Sequence, residues 1–401
     1  MRTTTIRAVN RLTARWAREA ADAEGGTVVT AAGLWPLLAL LADGADGPAR
    51  TELAEALGIP AEAAAEAARE LLAGLAGVRG LETATGLWAR RDLPLEEPWA
   101  AGLPPGTRGE LTGSPDTDRA VLDGWAAERT GGLIDRMPVP VSADTLLVLA
   151  SALALRLTWL QPFTERPKEI TEGPWAGQVV RGLGRWTSLL DRVRVADTTA
   201  GPLTLLEVVG DGGVDVHLVL GESAARPGEV LAAGIAAVTG YGDGIGAAAP
   251  VAGSALPEGT PGPGLDIRTE QSYTPEPRLA VQTVAFSVEA EHDLLPQARL
   301  FGLESATDLR FGHFPGISGK PLAVGAAAQS ALARFHAEGF EAAAVTAVAM
   351  APGGAPPPRP RYRTRRIGLV VDRPFGFLAV HRTSKLVLAA GWVTDPLPGS
   401  W

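Results

Sequence analysis

The chain has 401 residues, a formal net charge of −9 and no cysteine. The acidic balance argues against nucleic acid or an anionic membrane as the main partner. The absence of thiols excludes disulfides, thiolate metal sites and a cysteine nucleophile. Hydrophobic residues make up 46% and charged residues 20%, which predicts a soluble globular protein with a large core.

The N-terminal part is predicted to be helical. In residues 1–20 apolar side chains recur at helical spacing among arginines, which predicts a first helix, with a targeting peptide as the alternative. The segment lacks the apolar region of a secretory signal, so the expected location is the cytoplasm. Residues 31–43 are almost wholly apolar, which predicts a helix buried on all sides. Prolines then predict helix starts for 48–58 and 60–75.

The middle of the chain mixes element types. Residues 85–115 are expected to form loops and short strands, and 118–134 a helix that ends at a glycine pair. Residues 145–159 have no polar face at their start, which predicts a central strand buried on both sides, although periodicity alone leaves a buried helix open. Strand signals dominate 180–220, most clearly at 214–220.

The rest of the chain is predicted to be mainly strand. Residues 240–277 are rich in Gly, Ala and Pro, which predicts a mobile surface insertion. A strand at 279–290 and a helix at 293–301 follow, and the last 30 or so residues carry three apolar strand patterns, the last at 386–393. Helices that precede strands favour an α+β fold, and the lack of a clear boundary favours one domain over 1–401.

Motifs for catalysis are absent from the sequence. The histidines do not fall at metal-ligand spacings, and the glycine-containing run at 240–246 lacks the Lys-Ser/Thr of a phosphate loop. No G-x-S-x-G elbow occurs. The sequence therefore predicts a protein that is not an enzyme and that has no metal or other cofactor.

Four separated segments resemble the serpin pattern in the right order. The first three lie at 37–59, 122–134 and 144–163. The most specific is the Glu-Gly-x-Glu-Ala-Ala-Ala run within 336–348, followed after a gap by Arg-Pro-Phe and a closing Asp-Pro within 371–396. On these segments the chain resembles a divergent serpin, a serine protease inhibitor, of bacterial type.

The resemblance implies a fold in which helices pack around three β-sheets, with a large central sheet and an exposed reactive-centre loop at about 339–366. It implies a monomer that inhibits a serine protease, trypsin-like or subtilisin-like, as a suicide substrate. The protease cleaves the loop, which then inserts as a new strand into the central sheet. By family analogy the extracellular space is a second possible location. The alternative function is a non-inhibitory binding or carrier protein with the same fold.

The resemblance assigns the loop hinge to Gly339, Phe340, Glu341, Ala342, Ala343 and Ala344. An inserting strand needs one apolar face at period two. Alternate residues from Phe340 are apolar as far as Met350 except for Thr346, which needs a hydroxyl partner, and no proline interrupts before Pro352. The family usually has a small Thr or Ser where this chain has Phe340. The larger side chain predicts slower or less efficient insertion.

The resemblance assigns the region that controls sheet opening to Thr30, Ser151, Trp159 and Gln329. Ser151 stands where the family usually has Asn, and Gln329 where it usually has His. Both replacements are polar, so a substituted hydrogen bond between the two strands is expected.

Two counts place the scissile bond differently. Counting forward from Gly339 at the family's usual spacing gives Gly353-Gly354. Counting backward from Arg373 gives Arg361, with Arg363 as a second trypsin-like candidate. The alternative is a basic, solvated loop without a selected protease.

Overall fold

A computed structural model describes residues 1–241, 249–308, 310, 312–340 and 361–400. Within these ranges the α-helices are α1 (Thr3–Ala20), α2 (Ala31–Asp43), α3 (Gly47–Leu57), α4 (Ala61–Ala76), α5 (Glu97–Gly102), α6 (Pro115–Arg129), α7 (Pro227–Thr239) and α8 (Ala298–Phe301). None of these described helices is long and apolar enough to cross a bilayer.

The strands of the same ranges are β1 (Thr27–Val29), β2 (Leu81–Arg90), β3 (Arg108–Leu111), β4 (Leu147–Leu155), β5 (Leu157–Thr158), β6 (Thr164–Glu169), β7 (Val179–Thr187), β8 (Val193–Thr198), β9 (Gly201–Val209), β10 (Val214–Leu220), β11 (Val251–Ala252), β12 (Leu265–Ser272), β13 (Arg278–Val284), β14 (Phe286–Asp293), β15 (Ala326–Phe335), β16 (Gly339–Phe340), β17 (Tyr362–Val370), β18 (Phe375–His381) and β19 (Val387–Val393). They form three sheets, as predicted.

Helices α2 to α4 follow from local sequence. Every residue of α2 from Ala31 to Ala42 is buried, as its uniformly apolar sequence predicted. The side chain of Asp46 accepts a hydrogen bond from the first amide of α3, and Gly58 ends that helix in the left-handed conformation. Helix α4 begins at Ala61, directly after Pro60, so the predicted starts of α3 and α4 are confirmed to within one residue.

The central sheet has the order β3-β2-β4-β15-β16-β5, and β14 pairs with β15 from outside this path. Strands β4 and β15 are parallel and pair from Val148–Ala326 to Leu153–Ala331. Odd-numbered residues of β4 face the main core, whereas the even-numbered residues 148–152 pack in a smaller core with α6. The apolar run at 145–159 is thus a strand buried on both faces.

Two further sheets complete the fold. One has seven strands in the order β1-β19-β18-β10-β9-β8-β11, and the other has five in the order β12-β17-β13-β7-β6. Phe286 of β14 lies 5.2 Å, between ring centroids, from Phe377 of β18, so the central and seven-stranded sheets share the main core.

Three local predictions match the structure only in part. The range 240–277 is not simply a mobile insertion, because residues 265–272 form β12, whose eight residues all pair with β17. Residues 81–90 form a ten-residue strand, whereas loops and short strands were expected from 85 onward. In the segment 293–301 only residues 298–301 are α-helical, because β14 continues to Asp293 and a 3-10 turn follows.

Candidate functional site: the loop hinge and the opening of the central sheet

The hinge enters the central sheet at one end. After β15 the chain turns back, and Gly339 and Phe340 form β16, antiparallel to both neighbours. Phe340 pairs with Phe335 of β15 on one side and with Leu157 of β5 on the other. The first two residues of the predicted hinge therefore lie within the central sheet, between β5 and β15.

Phe340 is buried in an aromatic cluster. Its side chain is 2% exposed, and its ring centroid lies 6.1 Å from that of Phe377. Phe335, its partner across the strands, stacks on Phe286 at 5.3 Å. The main core therefore has room for the large side chain that was expected to impede insertion.

Trp159 holds the turn that precedes the hinge. Its indole Nε1 donates to the carbonyl oxygen of His336 at 2.9 Å, and its backbone amide donates to that of Glu338 at 2.8 Å. The amide of Phe163 donates to the carbonyl of Ala337, also at 2.8 Å. Because three donors bind three consecutive carbonyls, the turn is fixed before the hinge begins. Trp159 thus contacts the turn before the hinge, and its role in sheet opening stays a prediction.

Gln329 links β15 to the start of α2. Its side-chain oxygen accepts from the backbone amide of Thr30 at 2.9 Å, and its side-chain nitrogen donates to the Thr30 carbonyl at 2.8 Å. Both residues are fully buried, so without this contact the backbone groups of Thr30 and the side-chain amide of Gln329 would be unsatisfied. The expected bond between Gln329 and Ser151 is therefore replaced by a two-bond contact with a helix.

Ser151 lies beside Gln329 but does not bond to it. The strand pairs place Thr85, Ser151 and Gln329 in one row across β2, β4 and β15. The hydroxyl oxygen of Ser151 is buried, and no described group hydrogen-bonds to it. The hydroxyls of Thr85 and Thr30 are also buried, and no described group hydrogen-bonds to them. An unsatisfied buried hydroxyl destabilises the fold by roughly 1–3 kcal/mol, so this row has unused hydrogen-bonding capacity.

His292 of β14 closes the same row next to Gln329. Its Nε2 lies 3.1 Å from the Val28 carbonyl oxygen. Burial lowers the pKa of His292, and the hydrogen bond to Val28 opposes that shift only in part. The imidazole is therefore neutral at pH 7 and donates to the carbonyl.

Both the sequence and the fold of the chain match those of known proteins. The family model Serpin (serine protease inhibitor) matches residues 7–172 and 267–396, which is more than half of the chain. The chain belongs to the serpin family. A relative, serpin-Z6A of Oryza sativa subsp. japonica, is 29% identical over 383 residues, which cover 90% of this serpin and 92% of the rice protein. The curated relatives that match are plant proteins, so the expectation of a bacterial type has no support among them.

Solved structures share the fold of this serpin. The native state of the thermophilic serpin tengpin superposes with a TM-score of 0.74 at 14% identity, covering 97% of this chain and 94% of tengpin. Thyroxine-binding globulin in complex with thyroxine gives a TM-score of 0.71 at 16% identity, covering 98% and 99% of the two chains. These identities are low, so the two likenesses show the serpin fold alone.

The remaining predicted site residues fall in two groups. Glu341, Ala342, Ala343, Ala344, Gly353 and Gly354 lie outside the described residues. The amide of Arg361 donates to the Ser272 carbonyl at 3.1 Å, and Arg363 pairs with Gln271 within the five-stranded sheet. A protease would have to undo this pairing to bind Arg363 in an extended conformation. The choice of scissile bond stays a prediction.

Sequence reasoning missed the two contacts that fix the site. The Gln329–Thr30 contact joins residues 299 positions apart, and β16 depends on pairing with β5 and β15. The available signal was the presence of two polar residues, Gln329 and Ser330, within the apolar strand pattern from Ala326 to Ala333. A buried amide in such a strand needs a partner, although the sequence does not say which.

Proposed function

We propose that this serpin inhibits a serine protease as a suicide substrate, by cleavage of its reactive-centre loop and insertion of the loop into the central sheet, and that it is not an enzyme. The observation that supports this most directly is the position of Gly339 and Phe340 between β5 and β15. Insertion is then the continuation of a strand that has already begun. Each added residue would gain main-chain hydrogen bonds from β4 and β15.

The strand register predicts where each loop residue would go. Continuing the pair Phe335–Phe340 along β15 brings residue 346 opposite Gln329. Continuing the pair Leu157–Phe340 through β5 into β4 brings the same residue opposite Ser151. Ser151 and Gln329 are already paired with each other, so the two extrapolations agree. The new strand would therefore fit between β4 and β15 without a change of register.

Thr346 is the residue that this register places in the polar row. It is the only polar residue on the face that the sequence alternation assigns to the core. Ser151 has a buried hydroxyl with no described partner. Directly opposite residues on neighbouring strands have Cβ atoms about 5 Å apart, so two hydroxyls at these positions can hydrogen-bond. We infer that insertion supplies the partner that Ser151 lacks.

The test of the proposed function is incubation with a panel of trypsin-like and subtilisin-like proteases, followed by a denaturing gel. We expect a band at the summed mass of serpin and protease that survives detergent, because the acyl-enzyme is trapped before it is hydrolysed. Active-site-blocked protease is the control and should give no such band. Cleavage of the serpin by every protease in the panel, with none trapped, would refute inhibition of these two protease classes.

That last outcome would favour the alternative of a binding or carrier protein. Thyroxine-binding globulin shares this fold and is described with thyroxine bound. A chain that is cleaved without trapping the protease, and whose Tm does not rise on cleavage, would belong to this second class.

Ser151 and Thr346 supply a finer prediction. In the intact form Ser151→Ala should leave stability unchanged or raise it slightly, because it removes an unsatisfied hydroxyl. In the cleaved form Ser151→Ala and Thr346→Val should each lower stability by about 1 kcal/mol. Combining the two should cost no more than either alone, which denaturant titration of the four cleaved variants measures. Additive costs would show that the two hydroxyls do not meet.

A further inference from the structure

The outer face of the five-stranded sheet carries a cleft of about 480 Å³. It is formed by β6, β7, β13 and β17, away from the hinge and the central sheet. Five of the residues that line it are cationic: Arg166, Lys168, Arg185, Arg278 and Arg366. No Asp or Glu is among the described residues that line it. In a chain with a net charge of −9, this concentration of positive charge favours an anionic partner.

Two acidic groups that interact with cations of the cleft also have other partners or lie at its edge. Glu270 of β12 lies beyond its rim and binds Arg366 at 3.1 Å. Asp372 lies outside the cleft. Burial lowers the pKa of Lys168, and the negative charge of Asp372 opposes that shift because it favours the protonated form. Asp372 also forms an ion pair with Arg373 at 2.8 Å. Arg166, Lys168 and Arg278 form no described ion pair with either acid, so their charges remain available to a ligand.

The floor of the cleft consists of small residues. Gly184 lies between Thr164 of β6 and Gln282 of β13, and Ala280 pairs with Trp186. A Cβ placed on Gly184 would meet no atom closer than the Val281 carbonyl oxygen at 4.0 Å, so the space above it is open. A glycine within a strand often marks a place where another backbone approaches closely.

A positively charged side chain lies at each end of this floor. At one end the Lys168 ammonium is half-buried and donates to the side-chain oxygen of Gln282 at 3.1 Å. At the other end the Arg278 guanidinium lies 5.3 Å from the ring centroid of Trp186, which is itself 62% exposed. Arg278 and Gln282 are four residues apart on β13, which is roughly 13 Å along a strand. A ligand that meets both ends therefore needs two anionic groups about that far apart.

We propose that this cleft binds an extended peptide segment with two acidic residues four positions apart. In an extended peptide, residues i and i+4 are roughly 13 Å apart and point to the same side. The carboxylates then reach Lys168 and Arg278, while the main chain between them lies over Gly184 and Ala280. Trp186 offers an exposed ring for an apolar side chain of the same segment.

The position of the cleft indicates where such a segment comes from. Arg366 belongs to β17, which begins at Tyr362, immediately after the segment predicted to hold the scissile bond. A protease bound to that segment would cover this end of the sheet, so the partner is an acidic surface segment of the protease. This step rests on the proposed inhibitory function, whereas the peptide specificity of the cleft does not.

The test uses two blocked peptides of one composition, Ac-Asp-Ser-Ala-Ser-Asp-NH2 and Ac-Asp-Asp-Ser-Ala-Ser-NH2, titrated calorimetrically into the full chain at low salt. Only the first has the required spacing, and we expect it to bind at least about fivefold more tightly. Lys168→Met and Arg278→Met should each weaken its binding about tenfold, which is one lost charged contact. Equal binding of the two peptides would overturn the proposal, because it would show attraction by charge alone.

Gly184→Val tests the floor without changing any charge. The added side chain occupies the open space above the sheet, so the spaced peptide should lose about tenfold in affinity while Tm changes little. Arg119→Met removes an exposed arginine on α6 and should leave binding unchanged. If Gly184→Val bound the peptide as well as the unaltered chain, the peptide would not lie on this floor.

A separate measurement tests whether a protease contacts the cleft. With a protease that the chain traps, Lys168→Met should slow complex formation and weaken its salt dependence, and the number of serpin molecules used per protease should stay the same. Unchanged rates would show that the protease does not use the cleft. Peptide binding without any trapped protease would refute inhibition of the two protease classes tested and leave the peptide site supported. Trapping without peptide specificity would support inhibition and overturn the peptide site.

Discussion

Cleavage of the reactive-centre loop should raise the Tm of this serpin by about 10 °C or more, and Ala344→Glu should abolish that rise. The register that starts at Phe340 places residue 344 opposite Leu153 and Ala331, both of which face the main core. A glutamate there would bring an unpaired carboxylate into that core. Burying such a charge costs several kcal/mol, which is comparable with the gain from the new strand.

Ala343→Glu is the matched control. Its position falls opposite Ala154 and Leu332, which are buried but belong to neither core cluster, and Glu341 is native two residues earlier on the same face. This variant carries the same new charge at the neighbouring residue and should keep most of the rise. Both chains should have the same Tm before cleavage.

Differential scanning calorimetry of intact and cleaved samples measures the effect. The gel assay adds a second reading, because Ala344→Glu should turn the serpin into an ordinary substrate that is cleaved and releases active protease. If Ala344→Glu and Ala343→Glu behaved alike, the alternation of faces would be wrong. If neither the unaltered chain nor the control gained Tm on cleavage, insertion itself would be refuted.

The elements that the sequence predicted well are those whose cause is local. Helix α2 is apolar at nearly every position, and α3 is bounded by Pro48 and Gly58, so neighbouring residues suffice to predict them. Strand β4 was favoured correctly because its sequence, apolar except for Ser151, leaves no polar face, although that pattern alone did not exclude a buried helix. In each case the pattern repeats over two turns or several residue pairs, which makes it visible without tertiary contacts.

Strand β12 was missed because it looks like a loop. Of its eight residues only Ile267 is fully buried, since it is an edge strand of the five-stranded sheet. An edge strand pairs on one side only and can stay polar. What makes 265–272 a strand is the pairing with β17, about a hundred residues later in the chain.

The hinge shows the same limitation at the candidate site. Sequence alternation assigned Phe340 to the core-facing side, where the structure buries it, yet the large side chain was expected to impede insertion. The space for it is made by Phe335, Phe377 and Leu157, which come from three separate strands. Such a cavity is a property of packing between distant segments, and no local pattern encodes it.

Phe340→Ala should destabilise the intact serpin by about 3–5 kcal/mol, because it removes a fully buried aromatic side chain. The same substitution should destabilise the cleaved form by a similar amount, since Phe340 lies between β5 and β15 before insertion and keeps that place afterwards. The rise of Tm on cleavage should therefore persist, although both values fall by about 10 °C. Denaturant unfolding of the intact and cleaved forms gives the two differences.

Local proteolysis separates an anchored hinge from a general loss of stability. In the unaltered chain the Glu338 carbonyl accepts a hydrogen bond from the Trp159 amide. The next two residues, Gly339 and Phe340, lie in the sheet, and the buried Phe340 ring keeps them there. Phe340→Ala should therefore speed cleavage after Glu338 by a glutamate-specific protease about tenfold or more, because local opening no longer requires removal of a buried ring. Phe314→Ala removes another fully buried ring, outside the hinge, and should cost similar stability without this effect. Equal acceleration in both variants would mean that the site is reached by global unfolding, and Phe340 would then be an ordinary core residue rather than the anchor of the hinge.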